Sequence, residues 1–530
     1  MVAGREINYN YNASARQMAE TIFGEGVSVT GATYTGDRLS SAVYSDPNGY
    51  ATNVLPSPSG VILSTGFAGY FTNNNANQSN LSNSQGWNSS GPNNQADFNA
   101  VAGRSTFDAS YLDVSFTSES DLLTMQFVFG SDEYPEFTNS IYNDIVAVWI
   151  NGSYVPMAVG DGTTSVITIN EQNTANLYND NTSDQFNTEM DGFTVTMSLK
   201  IPVIPTTDLD SPQVNTIRIG IADASDSAYD SNLLIAADSV QGVLKAIDDD
   251  ITMAQGTTKV FDVLANDDGG ALGVEVTHIN GTKVEINDQV ILPTGETITL
   301  NPDYTFTIEA TADESDVVFT YSIENDDGVT DSAFVTLETI PCFVAGTLIL
   351  TPAGERRIET LKPGDLVITH DSGAQPIRWI GARTMPAKGR FAPIRIEAGA
   401  LGDHRQLLVS PQHRILIRDT LSELFFGEPE VLVSAKHLIN DRTIRAMEGG
   451  FVTYVHILFD AHEVVFSEGL ATESFLPGPQ TQDCFEEAVL EEICAIFPVL
   501  DPATGEGYSK AARRTLKSFE AQVLMHENAA

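Results

Sequence analysis

From about residue 27 to residue 240 apolar and polar positions alternate in short runs separated by Gly, Asn, Asp and Ser. Alternation of this kind puts successive side chains on opposite faces of a strand, so the pattern predicts antiparallel β-structure, a sandwich rather than βαβ units. Met125-Gln-Phe-Val-Phe-Gly-Ser-Asp-Glu-Tyr-Pro-Glu-Phe137 reads as a strand ending in a tight acidic turn. Asn143-Asp-Ile-Val-Ala-Val-Trp-Ile-Asn-Gly152 reads as a strand closed by Asn-Gly. Two stretches depart from the alternation. In residues 13–27, Met18, Ile22 and Phe23 recur at helical spacing with Gly after them, which predicts a short N-terminal helix. From Asn73 to Asn94 the chain is so rich in Asn, Ser, Gln and Gly that a long surface loop is expected.

The alternation resets at Asp248. An Asp-Asp-Asp start leads into Thr-Lys-Val-Phe-Asp-Val-Leu-Ala-Asn-Asp-Asp-Gly269 and later Tyr321-Ser-Ile-Glu-Asn-Asp-Asp-Gly-Val-Thr-Asp-Ser-Ala-Phe-Val335. Short strands at regular spacing over this length suit an immunoglobulin-like sandwich. A third block of short strands runs from Cys342 to Gly478. Beyond it, Phe485, Val489, Leu490 and Ile493 fall at helical spacing, and Ala511 to Met525 repeats the pattern, which predicts two amphipathic helices. The expected fold is mainly β: an N-terminal β-sandwich (1–240), an immunoglobulin-like sandwich (248–340), an all-β domain (342–478) and a helical tail (479–530).

Charge sharpens this division. Residues 1–341 hold 9 basic and 46 acidic side chains, residues 342–530 hold 18 and 25, and seven of the eight histidines follow residue 341. Two chemically different objects meet near that point. The net charge of −44 repels phosphates, so nucleic acid and anionic membrane surfaces are not expected partners. Cys342, Cys484 and Cys494 make no disulfide framework for a chain of 530 residues. No apolar run has the length of a membrane span, and Met1–Glu20 lacks a basic start followed by an apolar core, so no membrane span and no Sec-type signal peptide are expected.

The strand pieces at 125–137 and 143–152, with Asp223-Ala-Ser-Asp-Ser-Ala-Tyr-Asp-Ser231, resemble the bacterial choice-of-anchor L domain. The resemblance covers roughly residues 13–240 and implies an extracellular or cell-surface protein, exported by a Sec-independent route, with a surface ligand. Asp132, Glu133, Asp144, Asp223, Asp226 and Asp230 are candidates for a Ca²⁺ site, although no linear calcium loop is present and acidic turn residues are usually solvated. Residues 248–339 resemble the cadherin-like repeats of bacterial surface proteins, which implies a spacer.

The chemistry concentrates after residue 341. A thiol at the first position of a β domain can attack the preceding carbonyl and convert a peptide bond into a thioester. That acyl shift is uphill, so an acid must stand by to protonate the leaving nitrogen. Leu407-Leu-Val-Ser-Pro-Gln-His-Arg-Ile-Leu-Ile417 offers Ser410 and His413 on a turn between strands. Together with Cys342, Gly346, Thr347, Thr351, Leu361, Gly364 and Asp365, these residues resemble the Hint domain, the fold shared by Hedgehog autoprocessing domains and inteins. The subfamily most similar is the bacterial one attached to secreted acidic proteins.

The resemblance implies a horseshoe-shaped β domain that needs no cofactor and acts once on itself. By position it assigns Cys342 as nucleophile, Pro341 as the residue before the scissile bond, and His413 as the group that polarises and protonates the amide. Ser410 orients the imidazole or contacts the amide, His456 supplies a second acid or base, and Thr351 belongs to the same block. The stretch ends Glu473-Ser-Phe-Leu-Pro-Gly478, without the terminal asparagine that splicing needs, so cleavage or ligation through water, an amine or a hydroxyl is expected instead. A calcium-dependent adhesin with an inert Hint fold is the alternative. The absence of an HxH or HExxH pair argues against a zinc hydrolase.

Overall fold

The computed structural model describes residues 2–81, 86–138, 144–155, 158–159, 162–163, 169–170, 174–208, 211–252, 258–269, 273–310, 317–338, 342–387, 392–419, 422, 428–440, 442–477, 493–497, 500 and 508–516. The chain divides into two compact units. One comprises Met1–Asp249, Val260–Ile308 and Val317–Thr336, the other Asp250–Lys259, Glu309–Asp316 and Leu337–Ala530.

In the first unit the alternating segments fold as expected into two facing antiparallel sheets. One contains Val27–Thr35, Thr106–Ser118, Asn215–Ala224, Ile145–Ile150 and Ser153–Val155, in that order. The other is centred on Leu122–Ser131, which pairs with Ser231–Ala236 on one side and with Gly192–Thr194 and Met197–Pro202 on the other. Period two carries the core: Leu112, Val114 and Phe116 from the first sheet meet Met125, Phe127 and Phe129 from the second, all buried. Truncating one of these phenylalanines would cost about 3–5 kcal/mol, because the void is added to the lost transfer energy. Asn151 and Gly152 close the hairpin with φ of 50° and 81°, the two left-handed residues a tight two-residue turn needs.

The N-terminal helix spans Ala15–Ile22. Ser14 caps it through a reciprocal pair with Gln17, and Met18, Ala19 and Ile22 are buried against the sheets. It is shorter than the spacing predicts because Phe23 turns extended and bridges to Val240. The Asn-rich stretch carries no strand or helix in its described residues before Asn94, as expected of a loop, yet it is not all at the surface. Ser79 and Asn80 are buried because Asp184, whose carboxylate accepts both their N–H groups, pins them inward.

The immunoglobulin-like strands Val274–Ile279 and Val317–Asn325 pair antiparallel, with Gln289–Ile291, Thr297–Leu300 and Phe306–Glu309 forming a second layer. Val318 and Phe334 join the core of the N-terminal sandwich, Lys200 pairs with buried Asp331 at 2.8 Å, and Gln126 bonds Ser332. The module therefore packs onto the N-terminal sandwich within one unit.

The second unit is built on two sheets. The smaller runs Trp379–Pro386, Phe451–Leu458, Phe343–Val344, Leu407–Val409, Ile394–Ile396 and Ile444–Ala446. The larger includes Leu348–Thr351, Val464–Ser467, Leu470–Glu473, Arg414–Arg418 and Glu430–Ser434. Phe343, Val409, Ile415, Val433, Val455 and Val465 are buried in their shared core. The tail corrects one expectation. Ile493–Ile496 is a helical turn, but Arg514–Thr515, placed by periodicity in a second helix, is a strand parallel to Val431–Leu432. The sheet edge satisfies its backbone, Leu516 is buried, and Arg513 pairs with Glu430, whereas a short helix alone is marginal in water. Cys484 lies outside the described residues.

Candidate active site

Register brings the site together. Phe343 pairs with Val409 on one side and Val455 on the other, so Cys342, one residue earlier, falls between Ser410 and His456. Its N–H donates to Ser410 Oγ at 2.7 Å and its carbonyl accepts the Ser410 N–H at 2.9 Å. Its Sγ is 3.4 Å from His456 Nε2. The residue is buried. Pro341 lies outside the described residues.

Alternation along Phe451–Leu458 explains which side chains reach the thiol. Val455 and Ile457 point into the core, while Val452 and Tyr454 gather round Cys342 and His456 shares their face. Tyr454 was not foreseen. Burial, and then the neighbouring Cys342, push its phenol above the usual range, so it stays protonated.

His413 sits at the end of the turn that begins at Ser410, its N–H donating to the Ser410 carbonyl at 3.1 Å. Its ring stands edge-on to Phe343 at 4.3 Å, and neither ring nitrogen has a hydrogen-bond partner. Burial lowers its pKa to about 4, reinforced by His456, Arg414 and His462 and opposed by Glu473. At neutral pH it is therefore an uncharged imidazole with both nitrogens uncommitted.

Behind it lies an ion pair that sequence reading missed. Glu473 accepts from the Arg414 backbone at 2.9 Å and from its guanidinium at 3.2 Å. Burial opposes its charge, yet Arg414 and His462 hold its carboxyl down to about 2. His462 Nδ1 accepts from Ala512 N–H at 2.9 Å, which puts its proton on Nε2, facing Glu473 and the Ser474 carbonyl. His462 is thus structural. His404 is too, receiving the Leu401 N–H on Nε2. Thr351 is spent on its hairpin, donating to the Gly354 carbonyl at 2.5 Å and accepting from Ala353 N–H.

The acidic candidates of the N-terminal sandwich cluster at its strand ends. Asp144 N–H donates to Glu133 Oε2 at 3.2 Å, and Ser231 Oγ donates to Asp144 Oδ2 at 2.6 Å. Asp223 lies against Asp144, and burial pushes both up, Asp144 to about 7. Asp230 accepts the Trp87 N–H and Asp132 the Asp191 N–H. Asp226 instead caps Ala228 near the surface. Among the described residues no group of three His, Cys, Asp or Glu is gathered to hold a metal ion, and no helix is long and apolar enough to cross a membrane.

The sequence matches the choice-of-anchor L domain over residues 6–241, a bacterial Ig domain over 240–338 and the Hint domain over 341–479. Solved structures similar to the chain include the MchDnaB-1 intein, at 9% identity over 25% of this chain and 98% of that one with a TM-score of 0.17. The gp41-1 intein is 11% identical over 25% and 97%, with a TM-score of 0.17. No curated protein matches the chain. In sequence order, then, the protein joins a choice-of-anchor L domain, a bacterial Ig domain and a Hint domain.

Proposed function

We propose that the Hint domain cleaves its own chain between Pro341 and Cys342. The observation that carries this reading is the setting of Cys342: amide N–H on Ser410 Oγ at 2.7 Å, thiol 3.4 Å from His456, and unpartnered, uncharged His413 alongside. His456 takes the thiol proton, and the sulfur adds to the Pro341 carbonyl carbon. The carbon–nitrogen bond then breaks as the Cys342 nitrogen gains a proton. The proton lost by sulfur balances the one the nitrogen gains, and His413, whose unpartnered imidazole packs on Phe343 next to Cys342, is the group assigned to deliver it. The product is a thioester on Pro341 and a free amine on Cys342.

Chemistry stops there in the chain itself. The segment where splicing would need an asparagine holds Glu473 and Ser474, and Glu473 is committed to Arg414 and His462. Water, an amine or a hydroxyl then attacks the thioester and releases the N-terminal portion, or transfers it to the acceptor. The choice-of-anchor L domain points to the cell surface or the extracellular medium as the place where that portion is displayed.

Intact-mass measurement of wild type and Cys342→Ala, with and without added thiol, tests the reading. Wild type alone should yield residues 1–341 and 342–530, and added mass on Pro341 would identify the acceptor. Intact chains from both would leave a surface protein with an inert Hint fold.

A further inference from the structure

A second group of buried polar side chains lies within the choice-of-anchor L sandwich, and only one of its members, Asp132, was a candidate from sequence. Asp132 follows the strand Leu122–Ser131 and Asp191 precedes Gly192–Thr194; the two strands pair at Ser131 and Gly192. The Asp191 N–H donates to Asp132 Oδ1 at 3.3 Å. Asn80 arrives from the Asn-rich loop, its Nδ2 donating to Asp191 Oδ1 at 2.6 Å. All three residues are at most 3% exposed.

Two oxygens here lack any hydrogen bond, Asp191 Oδ2 and Asn80 Oδ1. Asn232, on the strand that pairs with the other edge of Leu122–Ser131, also leaves Oδ1 without a partner while its Nδ2 reaches Met190 Sδ at 3.0 Å. A buried acceptor left unmade costs about 1–3 kcal/mol, and more when it carries charge. Beyond burial, Asp191, Asp230 and Glu189 push the Asp132 carboxyl up, and Glu136, Asp180 and Glu189 do the same to Asp191. Water would satisfy the lone pairs but not the charge.

The loop that delivers Asn80 is fixed independently of any ion. Ser79 and Asn80 N–H donate to Asp184 Oδ1, and Leu81 N–H to Glu189 Oε2 at 2.7 Å. The Asn80 amide is therefore held in place beside the Asp191 carboxylate rather than swinging freely.

We propose that Asp132, Asp191 and Asn80, with Asn232 adding a further oxygen, bind a divalent cation of the calcium type. Two carboxylates balance its charge and amide oxygens extend the shell, an all-oxygen set that suits a hard cation rather than a transition metal. A site with two carboxylates is also consistent with no three acidic, His or Cys residues gathering among the described ones. The ion fastens the loop around Asn80 to the strand ends.

The test uses the full-length Cys342→Ala chain, stripped with EGTA and titrated calorimetrically with CaCl₂. Tb³⁺ luminescence provides a positional readout, because the rings of Tyr134 and Tyr178 flank Gly192, next to Asp191. Asp191→Asn and Asp132→Asn should each weaken binding at least about tenfold, since affinity follows ligand charge. Asn80→Asp should tighten it, and Asp144→Asn should leave it unchanged. Should Asp191→Asn fail to fold by circular dichroism, Asn80→Asp alone carries the test. Absence of Ca²⁺ uptake by the stripped chain would overturn the assignment. So would uptake abolished by Asp144→Asn and indifferent to Asp191→Asn, or to Asn80→Asp.

Discussion

The Hint site and the acidic end of the choice-of-anchor L sandwich both bury titratable groups, and burial disfavours charge in both with different consequences. Around Cys342 the buried groups are bases and weak acids: His413 is lowered to about 4 and Tyr454 is raised. Both are neutral at pH 7, so desolvation costs little and leaves reactive groups poised. At the sandwich end the buried groups are carboxylates of one sign, with Asp144 raised to about 7 and Asp223 well above its ordinary value. There desolvation accumulates charge that only a proton or a cation relieves. The same physical term tunes reactivity in one region and demands a counter-charge in the other.

The comparison breaks first at the nucleophile. Cys342→Ala should abolish cleavage outright, read as intact mass after prolonged incubation with thiol, while the fold survives the loss of one sulfur. His456→Ala and His413→Ala come next, each slowing cleavage by about 10²–10⁴-fold, the usual contribution of a positioned acid or base. Their pH profiles separate the roles. Loss of His456 makes the rate depend on unassisted thiol ionisation, so its profile rises towards alkaline pH, whereas loss of His413 lowers the rate throughout. Equal profiles for the two variants would mean that the thiol does not rely on His456.

Stability against pH sharpens the contrast. His413 binds its proton more weakly folded than unfolded, so the unfolded chain gains protons first as pH falls below 6.5. The Hint unit should lose up to about 3 kcal/mol between pH 6.5 and 4. Glu473, held down to about 2 from 4.5, adds its own loss as pH falls from about 4.5 to 2. Asp144 behaves oppositely. Its folded pKa of about 7 exceeds 3.8, so the folded state holds the extra proton and stability falls as pH rises from about 4 to 7. Calorimetry of the Cys342→Ala chain in EGTA should show one transition weakening towards acid and the other towards neutral pH. Asp144→Asn should flatten the second. Two transitions moving together would remove the distinction.

Strand periodicity was enough to read the β architecture, since alternation at Leu112, Val114 and Phe116 or at Val455 and Ile457 reports directly which face is buried. The Asn151–Gly152 turn was legible for the same local reason. Cys342, Ser410 and His413 were visible because each lies in a short contiguous block. His456 was named only through the resemblance, and Tyr454 not at all, because their places beside the thiol depend on register: they meet Cys342 only once Phe343 pairs with Val455. Thr351 was placed in its block through the resemblance, yet its hydroxyl closes a hairpin. The strand at Arg514–Thr515 escaped because an amphipathic pattern cannot announce that a sheet edge will take it. Asp191 and Asn80 lay in turn-rich segments where acidic and amide residues usually signal nothing beyond the turn.

Tyr454 offers the smallest and most discriminating change. Its ring packs with Ala387 and Val452 beside Cys342, so Tyr454→Phe keeps the packing and deletes one hydroxyl. Burial keeps the phenol protonated, so any part that hydroxyl takes in cleavage is as a hydrogen-bond donor to developing charge rather than as a base. A single such bond is worth about 0.5–1.5 kcal/mol net, which predicts a slowing of about 2- to 10-fold. A phenol that never ionises in the working range leaves the pH profile in place. Single-turnover cleavage rates across pH therefore distinguish it from His456: a parallel drop marks a donor, and a displaced profile would make Tyr454 part of the proton path.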